Sequence, residues 1–143
     1  MKIFTAEIPV KIRFSDTDAM GVVWHGNYLR FFEDAREAFG MQYGMTYLNM
    51  YHNGFFTPIV KSNVEHKSPI NYGETVMAIA KLKPSPAAKI VFEFDIMNTS
   101  TGKLSAIGST TQVFLHAEDR SLELIKPAFY EKWEKLIGIN HKL

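Results

Sequence analysis

Apolar and polar residues alternate from Ile8 to Phe14, and this period of two predicts a β-strand with one buried face. Pro9 falls within the strand and has no backbone N–H to donate to a neighbouring strand. The strand should therefore lie at the edge of a sheet, or begin near Pro9. Residues 15–27, which follow it, indicate a loop.

Beyond Asn27 the apolar residues recur at helical spacing. One stripe of the predicted helix comprises Tyr28, Phe32, Ala35 and Phe39. Other apolar residues widen this stripe, so we expect the helix from about Asn27 to Phe39 to be buried on most sides. Asn27 is a candidate N-cap, and Gly40 and Gly44 are candidate stops. A further short turn of helix is expected within residues 45–51.

The rest of the chain consists mainly of strand patterns. The predicted strands cover residues 55–66, 74–83, 90–96 and 103–116, and a short helix runs from after Pro127 to about Ile137. Pro58 interrupts the first of these strands, which indicates a bulge or a sheet edge. This element order has no β–α–β alternation and predicts an α+β fold with a five-stranded, mostly antiparallel sheet. Because the long helix is nearly all apolar, the sheet should wrap around it.

Length and composition restrict the class of protein. The chain has 143 residues, the usual size of one domain, and we expect a single domain over residues 1–143. Hydrophobic residues make up 46% of the chain and charged residues 22%, as in globular proteins with a sizeable core. The net charge is +1 without long runs of like charge, so no nucleic-acid partner is expected. No apolar stretch approaches 18 residues, so no membrane span is expected.

Several kinds of site are excluded by residues that are missing. The chain contains no cysteine, which removes disulfides, thiolate metal sites and a cysteine nucleophile, and which fits a cytoplasmic location. The first ten residues lack the apolar segment of a signal peptide. The five histidines have no pair at metal-ligand spacing, and no glycine motif for a nucleotide occurs, so neither a metal nor a cofactor is expected. The GxSxG motif of α/β-hydrolases is also absent.

The segment from Asp16 to Tyr28 carries the candidate chemistry. Asp16 and Asp18 lie just before the hydrophobic helix, and Gly21 and Gly26 would let the backbone approach a ligand closely. Free N–H groups at the helix N-terminus favour developing negative charge, so a carboxylate beside them could attack a carbonyl or activate water. Aspartates near a helix start are also common turn and cap formers. These residues alone leave both interpretations open.

Residues 14–29, FSDTDAMGVVWHGNYL, resemble the signature of hot-dog-fold thioesterases of the 4-hydroxybenzoyl-CoA thioesterase family. The resemblance is closest to the Tol-Pal-associated acyl-CoA thioesterase branch. Residues 31–36, FFEDAR, and residues 57–60, TPIV, continue the likeness, as does the order of the elements. The resemblance implies the hot-dog fold, in which a five-stranded sheet wraps around a central helix, and it implies hydrolysis of acyl-CoA thioesters.

The resemblance also implies roles for particular residues. Asp18 corresponds to the catalytic carboxylate, acting as nucleophile or general base, and Asp16 to a residue that fixes the loop through backbone N–H groups. The backbone N–H near His25 would polarise the thioester carbonyl at the helix N-terminus. The His25 side chain would orient the acyl group or shuttle a proton, or would simply pack at the helix start. Gly26 and Tyr28 would line the substrate site.

Further expected contacts come from a second chain. The resemblance implies that sheets join edge to edge, which would place Thr57, Ile59 and Ser62 of one chain beside Asp18 of its neighbour. A homodimer or a homotetramer is therefore expected, with a slight preference for the tetramer. Family members that bind the nucleotide phosphates tightly carry several basic residues in the turn after the third sheet strand. Here that turn offers only Lys83 and Lys89, and Lys89 is the candidate phosphate contact.

Three other functions remain open at this point. The substrate could be an acyl group on acyl carrier protein, because few basic residues are available for coenzyme A. The chain could be a non-catalytic acyl-binding protein on the same fold, since a fold does not determine a function. A hydratase or dehydratase is disfavoured by the Asp-x-Asp loop. The acyl group itself is not indicated, because aromatic residues such as Trp24, Phe55 and Phe56 suit aryl and aliphatic groups equally.

Overall fold

The computed structural model describes residues 3–141. Seven strands are formed in this part of the chain: β1 (Thr5–Lys11), β2 (Phe55–Phe56), β3 (Ile59–His66), β4 (Thr75–Lys83), β5 (Lys89–Asn98), β6 (Lys103–Val113) and β7 (Leu115–His116). The helices are α1 (Tyr28–Tyr43), α2 (Tyr47–His52) and α3 (Ala128–Ile137). Short 3₁₀ turns cover Phe14–Asp16 and His25–Asn27.

Five strands form one antiparallel sheet in the order β1–β4–β5–β6–β3. Along β4 and β5 the buried residues alternate with more exposed ones, as one covered sheet face requires. Helix α1 supplies that cover. Its predicted stripe is at most 3% exposed at each of its four positions, namely Tyr28, Phe32, Ala35 and Phe39. The predicted α+β fold, with its sheet around a long helix, is confirmed.

The contact between α1 and the sheet is close because a glycine faces the helix. The rings of Phe32 and Phe94 stack at a centroid distance of 4.6 Å. A Cβ atom on Gly108 of β6 would lie only 2.5 Å from the Phe32 ring and would also collide with the carbonyl oxygen of Asn63. Gly108 therefore sets how near α1 can approach the sheet. The helix ends at Gly44, which adopts a left-handed φ of 78° as predicted for a stop.

Helix α3 packs over one end of this core. Tyr130 and Trp133 are buried, and the Trp133 indole N–H donates to the carbonyl oxygen of Tyr43 at 2.7 Å. The buried ammonium of Lys126 pairs with Glu134 at 2.8 Å and also donates to the carbonyl of Ser85 in the β4–β5 connection. The C-terminal helix is thus tied both to the end of α1 and to that connection.

Both proline predictions are confirmed. Pro9 lies in β1, which is an edge strand. Pro58 separates β2 from β3, and β3 is the opposite edge, with a register shift between Ile59 and Lys61. The predicted strand 103–116 is interrupted after Val113, because the chain leaves β6 and pairs two residues as β7 with β2.

Candidate active site

The loop before α1 folds back on itself as a tight turn. An isolated antiparallel bridge joins Thr17 to Val23, and the N–H of Asp18 donates to the carbonyl of Val22 at 2.9 Å. Gly21 closes the turn with a φ of 78°, a conformation that glycine adopts without strain. The N–H of Val23 also donates to the carbonyl of Ile70 at 2.8 Å, so the turn is attached to the body of the protein. Asp18 therefore lies in a turn whose backbone is held by hydrogen bonds.

Asp16 is the structural member of the pair. Its side chain is 3% exposed and forms an ion pair with Arg30 of α1. The second carboxylate oxygen accepts the backbone N–H of Arg13 at 2.8 Å, which confirms the predicted bond to the backbone. Both carboxylate oxygens of Asp16 are therefore occupied by protein donors. This carboxylate holds the loop against α1 and offers no free oxygen to a substrate.

Asp18 has the contrasting environment. It is only partly buried, and its Oδ1 accepts the N–H of Met20 at 2.8 Å, within its own turn. Within residues 3–141 its other carboxylate oxygen, Oδ2, has no hydrogen-bond partner. One bond fixes the orientation of the carboxylate while one oxygen stays available. That arrangement suits a group that must meet a carbonyl carbon or a water molecule.

Donors for an oxyanion lie at the start of the helical segment. The 3₁₀ turn His25–Asn27 runs directly into α1. In the described part of the chain, the N–H groups of His25 and Gly26 have no hydrogen-bond partner, whereas those of Trp24 and Asn27 are bonded. Two neighbouring free N–H groups at a helix start favour an oxygen that gains negative charge.

Asn27 occupies the N-cap position of α1, as predicted, but its side chain does not cap the helix. Its backbone is already helical, with φ −85° and ψ −12°, and its side chain caps no N–H group. The Asn27 amide instead donates to the carbonyl oxygen of Asp16 at 2.8 Å, and the N–H of Trp24 reaches the same oxygen at 2.9 Å. The 3₁₀ turn His25–Asn27 leads directly into α1, and the Asn27 side chain bonds to the loop instead of to the helix. Asn27 thus couples the aspartate loop to the helix.

The indole of Trp24 explains the small residue at position 26. A Cβ on Gly26 would collide with the Trp24 ring, which lies directly over it. Trp24 is 49% exposed and packs beside the His25 ring at 5.1 Å. A glycine is therefore needed for the indole to cover this backbone. The sequence predicted that a ligand could approach the backbone closely at Gly26. In the structure, the Trp24 indole lies close to this backbone.

A second histidine joins this region. His66, the last residue of β3, lies edge-on to the Tyr28 ring at 4.7 Å and to the His25 ring at 6.4 Å. Sequence reasoning missed it, because residues 28–65 separate it from the loop and no motif marks it. Tyr28 is 3% exposed, and burial raises the pKa of its hydroxyl above the ordinary value of 10.0. Its ring contacts His66, which in turn contacts His25.

The remaining predicted substrate contacts lie elsewhere in the chain. Thr57 is buried, and its carbonyl oxygen accepts the side-chain N–H of Gln112 at 2.8 Å. Ile59 and Ser62 are exposed on the edge strand β3, and Lys89 is exposed at the start of β5. Among the described residues, no hydrogen bond or ring contact joins these four to the Asp18 turn. Their role in the site remains a prediction that needs a second chain.

The model of the thioesterase-like superfamily matches residues 12–133. The chain belongs to this superfamily. The predictions of a hot-dog thioesterase fold and of an enzyme in this hydrolase class are confirmed at the level of the family. No finding selects the Tol-Pal-associated branch, which remains a prediction.

Several proteins that are similar to this chain are named as thioesterases or as hydrolases of CoA thioesters. The chain is 30% identical over 132 residues to a Bacillus subtilis protein named "Putative acyl-CoA thioesterase YneP", covering 88% of this chain and 95% of the relative. It is 26% identical to a 1,4-dihydroxy-2-naphthoyl-CoA hydrolase of Thermosynechococcus vestitus, covering 76% and 75% of the two chains. The crystal structure of DHNA-CoA thioesterase from Staphylococcus aureus superposes with a TM-score of 0.82 at 27% identity, covering 97% and 96%.

In residues 3–141 no cluster of three or more histidine and acidic side chains is placed to hold a metal ion. No helix in the same residues is long and apolar enough to cross a membrane.

Proposed function

We propose that this chain hydrolyses acyl-CoA thioesters, with Asp18 as the catalytic carboxylate. The observation that supports this most strongly is the difference between the two aspartates. Asp16 is buried and bonded through both oxygens, whereas Asp18 keeps one oxygen free on a rigid turn. The names of the relatives, which describe acyl-CoA thioesterases and hydrolases, support the reaction class.

The proposed chemistry uses the two halves of the site together. The thioester carbonyl oxygen would accept the free N–H groups of His25 and Gly26, which stabilise the charge that develops on it. In the nucleophilic route, an Asp18 oxygen attacks the carbonyl carbon, the C–S bond breaks, coenzyme A leaves as the thiolate, and water hydrolyses the mixed anhydride. In the general-base route, Asp18 takes a proton from water as this water attacks the same carbon. The C–S bond then breaks, coenzyme A leaves as the thiolate, and the free acid is released.

The histidine pair has a supporting role in this proposal. His25 and His66 both lie at the N-terminal end of α1, with their rings 6.4 Å apart. Either ring could carry a proton to the departing thiolate. Replacing His25 with Asn or with Phe separates this role from packing, because a packing role tolerates the aromatic ring better than the amide.

We infer that two chains complete the site. β3 is an edge strand whose residues are mostly exposed, and its exposed apolar side chains include Ile59 (40%) and Val60 (61%). An unprotected, partly apolar edge favours pairing with another strand. Joining two β3 edges about a two-fold axis would bring Thr57, Ile59 and Ser62 to the Asp18 turn of the other chain.

The coenzyme part of the substrate has fewer candidate contacts. Lys83 lies 3.6 Å from Glu93 in an exposed ion pair, whereas Lys89 at the start of β5 is exposed. Among the described residues, a single lysine outside an ion pair at this end of the sheet, Lys89, supports weak binding of the nucleotide phosphates. A thioester on acyl carrier protein is therefore the alternative substrate, and it belongs in the same assay.

A hydrolysis screen tests the proposal directly. Free thiol release would be followed with short-chain, long-chain and aromatic acyl-CoA substrates, and with acyl groups on acyl carrier protein. We expect at least one acyl-CoA class to be hydrolysed well above the rate without protein. Hydrolysis of thioesters on acyl carrier protein alone would contradict the assignment of acyl-CoA as the substrate. Acyl-CoA binding without any hydrolysis would instead support the non-catalytic alternative.

A mixing experiment tests whether the site is shared. One chain would carry Asp18→Asn, and the other would carry Ser62→Arg to disable β3 near the proposed contact. If the site is shared, the mixed oligomer regains part of the activity, because some sites combine an intact Asp18 with an intact β3. Light scattering on the same samples reports the oligomeric state. A fully active monomer would rule the shared site out.

A further inference from the structure

Two side chains at the start of the helical segment bond back to the aspartate loop. Arg30 forms the ion pair with the Asp16 carboxylate, and Asn27 donates from its amide Nδ2 to the Asp16 backbone carbonyl at 2.8 Å. Among the described residues, no other side chain of residues 24–30 makes a hydrogen bond to residues 13–23. Asn27 therefore provides the side-chain bond from this segment to the main chain of the loop.

The place of Asn27 in the chain connects this bond with the site. The Asp16 carbonyl oxygen also accepts the N–H of Trp24 at 2.9 Å, so one oxygen receives two donors. The two free N–H groups that are the proposed oxyanion donors lie in the chain between Trp24 and Asn27. Asp18 lies two residues after Asp16. The Asp16 carbonyl thus lies in the shortest bonded path between the Asp18 carboxylate and those N–H groups.

Backbone bonds hold the loop together only as far as Trp24. The N–H of Asp18 donates to the carbonyl of Val22, and the N–H of Trp24 donates to the carbonyl of Asp16, so these residues form one antiparallel turn. In the next three residues the backbone bonds run within the 3₁₀ turn, where the N–H of Asn27 donates to the Trp24 carbonyl at 2.9 Å. The Asn27 amide is therefore the bond that ties the 3₁₀ turn to the backbone that carries the aspartates.

We propose that Asn27 is a positioning residue for the thioesterase reaction, because it sets the spacing between the Asp18 carboxylate and the two N–H groups. This inference rests on the proposed function. The thioester carbon has to meet the carboxylate, or the water that it activates, while the carbonyl oxygen meets the N–H groups. Both halves must therefore be held at one spacing, and a displacement of about 1 Å at such a site can lower turnover by about 10²-fold.

Loss of this bond should affect turnover more than stability. When the Asn27 amide is removed, the Asp16 carbonyl keeps the Trp24 N–H, so no buried acceptor is left unpaired. Arg30 differs in this respect. Its removal leaves the buried Asp16 carboxylate without its opposite charge, which is chiefly a loss of stability. The two side chains that reach Asp16 thus have separable roles.

Steady-state kinetics of Asn27→Leu test the inference. With the acyl-CoA that the wild type hydrolyses best, kcat per folded protein should fall about tenfold to a hundredfold, while KM changes by less than about threefold. Tm should fall by less than about 4 °C, because one hydrogen bond is lost. Asn53→Leu is the matched control, since the Asn53 amide donates to the backbone carbonyl of Asn49 at 2.7 Å, at the end of α2. It should change kcat by less than about twofold.

A double-mutant cycle separates positioning from a simple structural role. In the Asp18→Asn background the spacing to the carboxylate no longer matters, so adding Asn27→Leu should lower the residual turnover by less than about twofold. A role confined to the shape or stability of the helix start would instead lower turnover by the same factor in both backgrounds.

The outcomes distinguish this inference from the proposed function. If Asn27→Leu does not fold, Asn27→Ala removes the same donor and enters the same measurements. An active wild type whose folded Asn27 variant keeps its kcat, or equal factors in both backgrounds of the cycle, overturns the inference and leaves the proposed function standing. A wild-type chain that hydrolyses no thioester refutes the proposed function and this inference with it.

Discussion

The different roles of the two aspartates can be separated by stability measurements. Asp16→Asn keeps the size of the side chain and an acceptor for the Arg13 N–H, but it removes the charge that faces Arg30. Breaking a fully buried ion pair from one side costs about 3–5 kcal/mol. Arg30 is 38% exposed and can recover hydration, so we expect a smaller loss, about 2 kcal/mol in the free energy of unfolding. For a chain of this length that loss corresponds to roughly 8 °C in Tm.

The matched variant is Asp18→Asn, which disturbs one hydrogen bond in an exposed turn and should change stability by less than about 0.5 kcal/mol. Urea unfolding followed by circular dichroism would give both values. A double-mutant cycle with Arg30→Gln should give a coupling energy of about 1–2 kcal/mol between Asp16 and Arg30. Equal losses for the two aspartate variants, or a coupling energy near zero, would refute the assignment of Asp16 as the structural residue.

Three further changes test packing contacts in different parts of the fold. Gly108→Ala should lower the free energy of unfolding by about 3 kcal/mol, because the added Cβ has no room against Phe32. A loss of less than about 0.5 kcal/mol in denaturant unfolding would contradict this packing. Gly26→Ala should leave stability nearly unchanged but displace the Trp24 indole, which tryptophan fluorescence would report as an altered emission. Burial raises the pKa of Tyr130 above 10.0, so stability should fall as pH rises past about 10, where the unfolded chain loses this proton first. Tyr130→Phe should flatten that decline in a series of Tm measurements, and an unchanged slope would count against the burial.

The regular part of the fold could be predicted from the sequence because each element had a local signal. The apolar stripe of α1, the alternation in β4 and β5, and Gly44 at the helix end all depend on residues a few positions apart. The interruption at Pro58 was predictable for the same reason. Proline has no backbone N–H, so it interrupts strand pairing at its own position regardless of the surrounding fold.

Where local signals compete with tertiary contacts, prediction was less successful. Asn27 looked like a cap, but the carbonyl of Asp16 offered its side chain a different partner. His66 reaches the start of α1 only because β3 pairs with β6. No sequence pattern near His66 indicates that pairing. The Asp16–Asp18 pair stood out in the sequence, and the resemblance implied its division of roles. The bonds of Asp16 and the free oxygen of Asp18 required the three-dimensional environment.

The central claim is that Asp18 carries the chemistry. The most direct measurement is the steady-state turnover of the best acyl-CoA substrate by wild type and by Asp18→Asn, with the folded fraction of each protein measured alongside. We predict that Asp18→Asn lowers kcat by about 10²–10⁴-fold, the usual contribution of a positioned acid–base group, with Tm essentially unchanged. Turnover within about threefold of wild type in an equally stable variant would contradict the account.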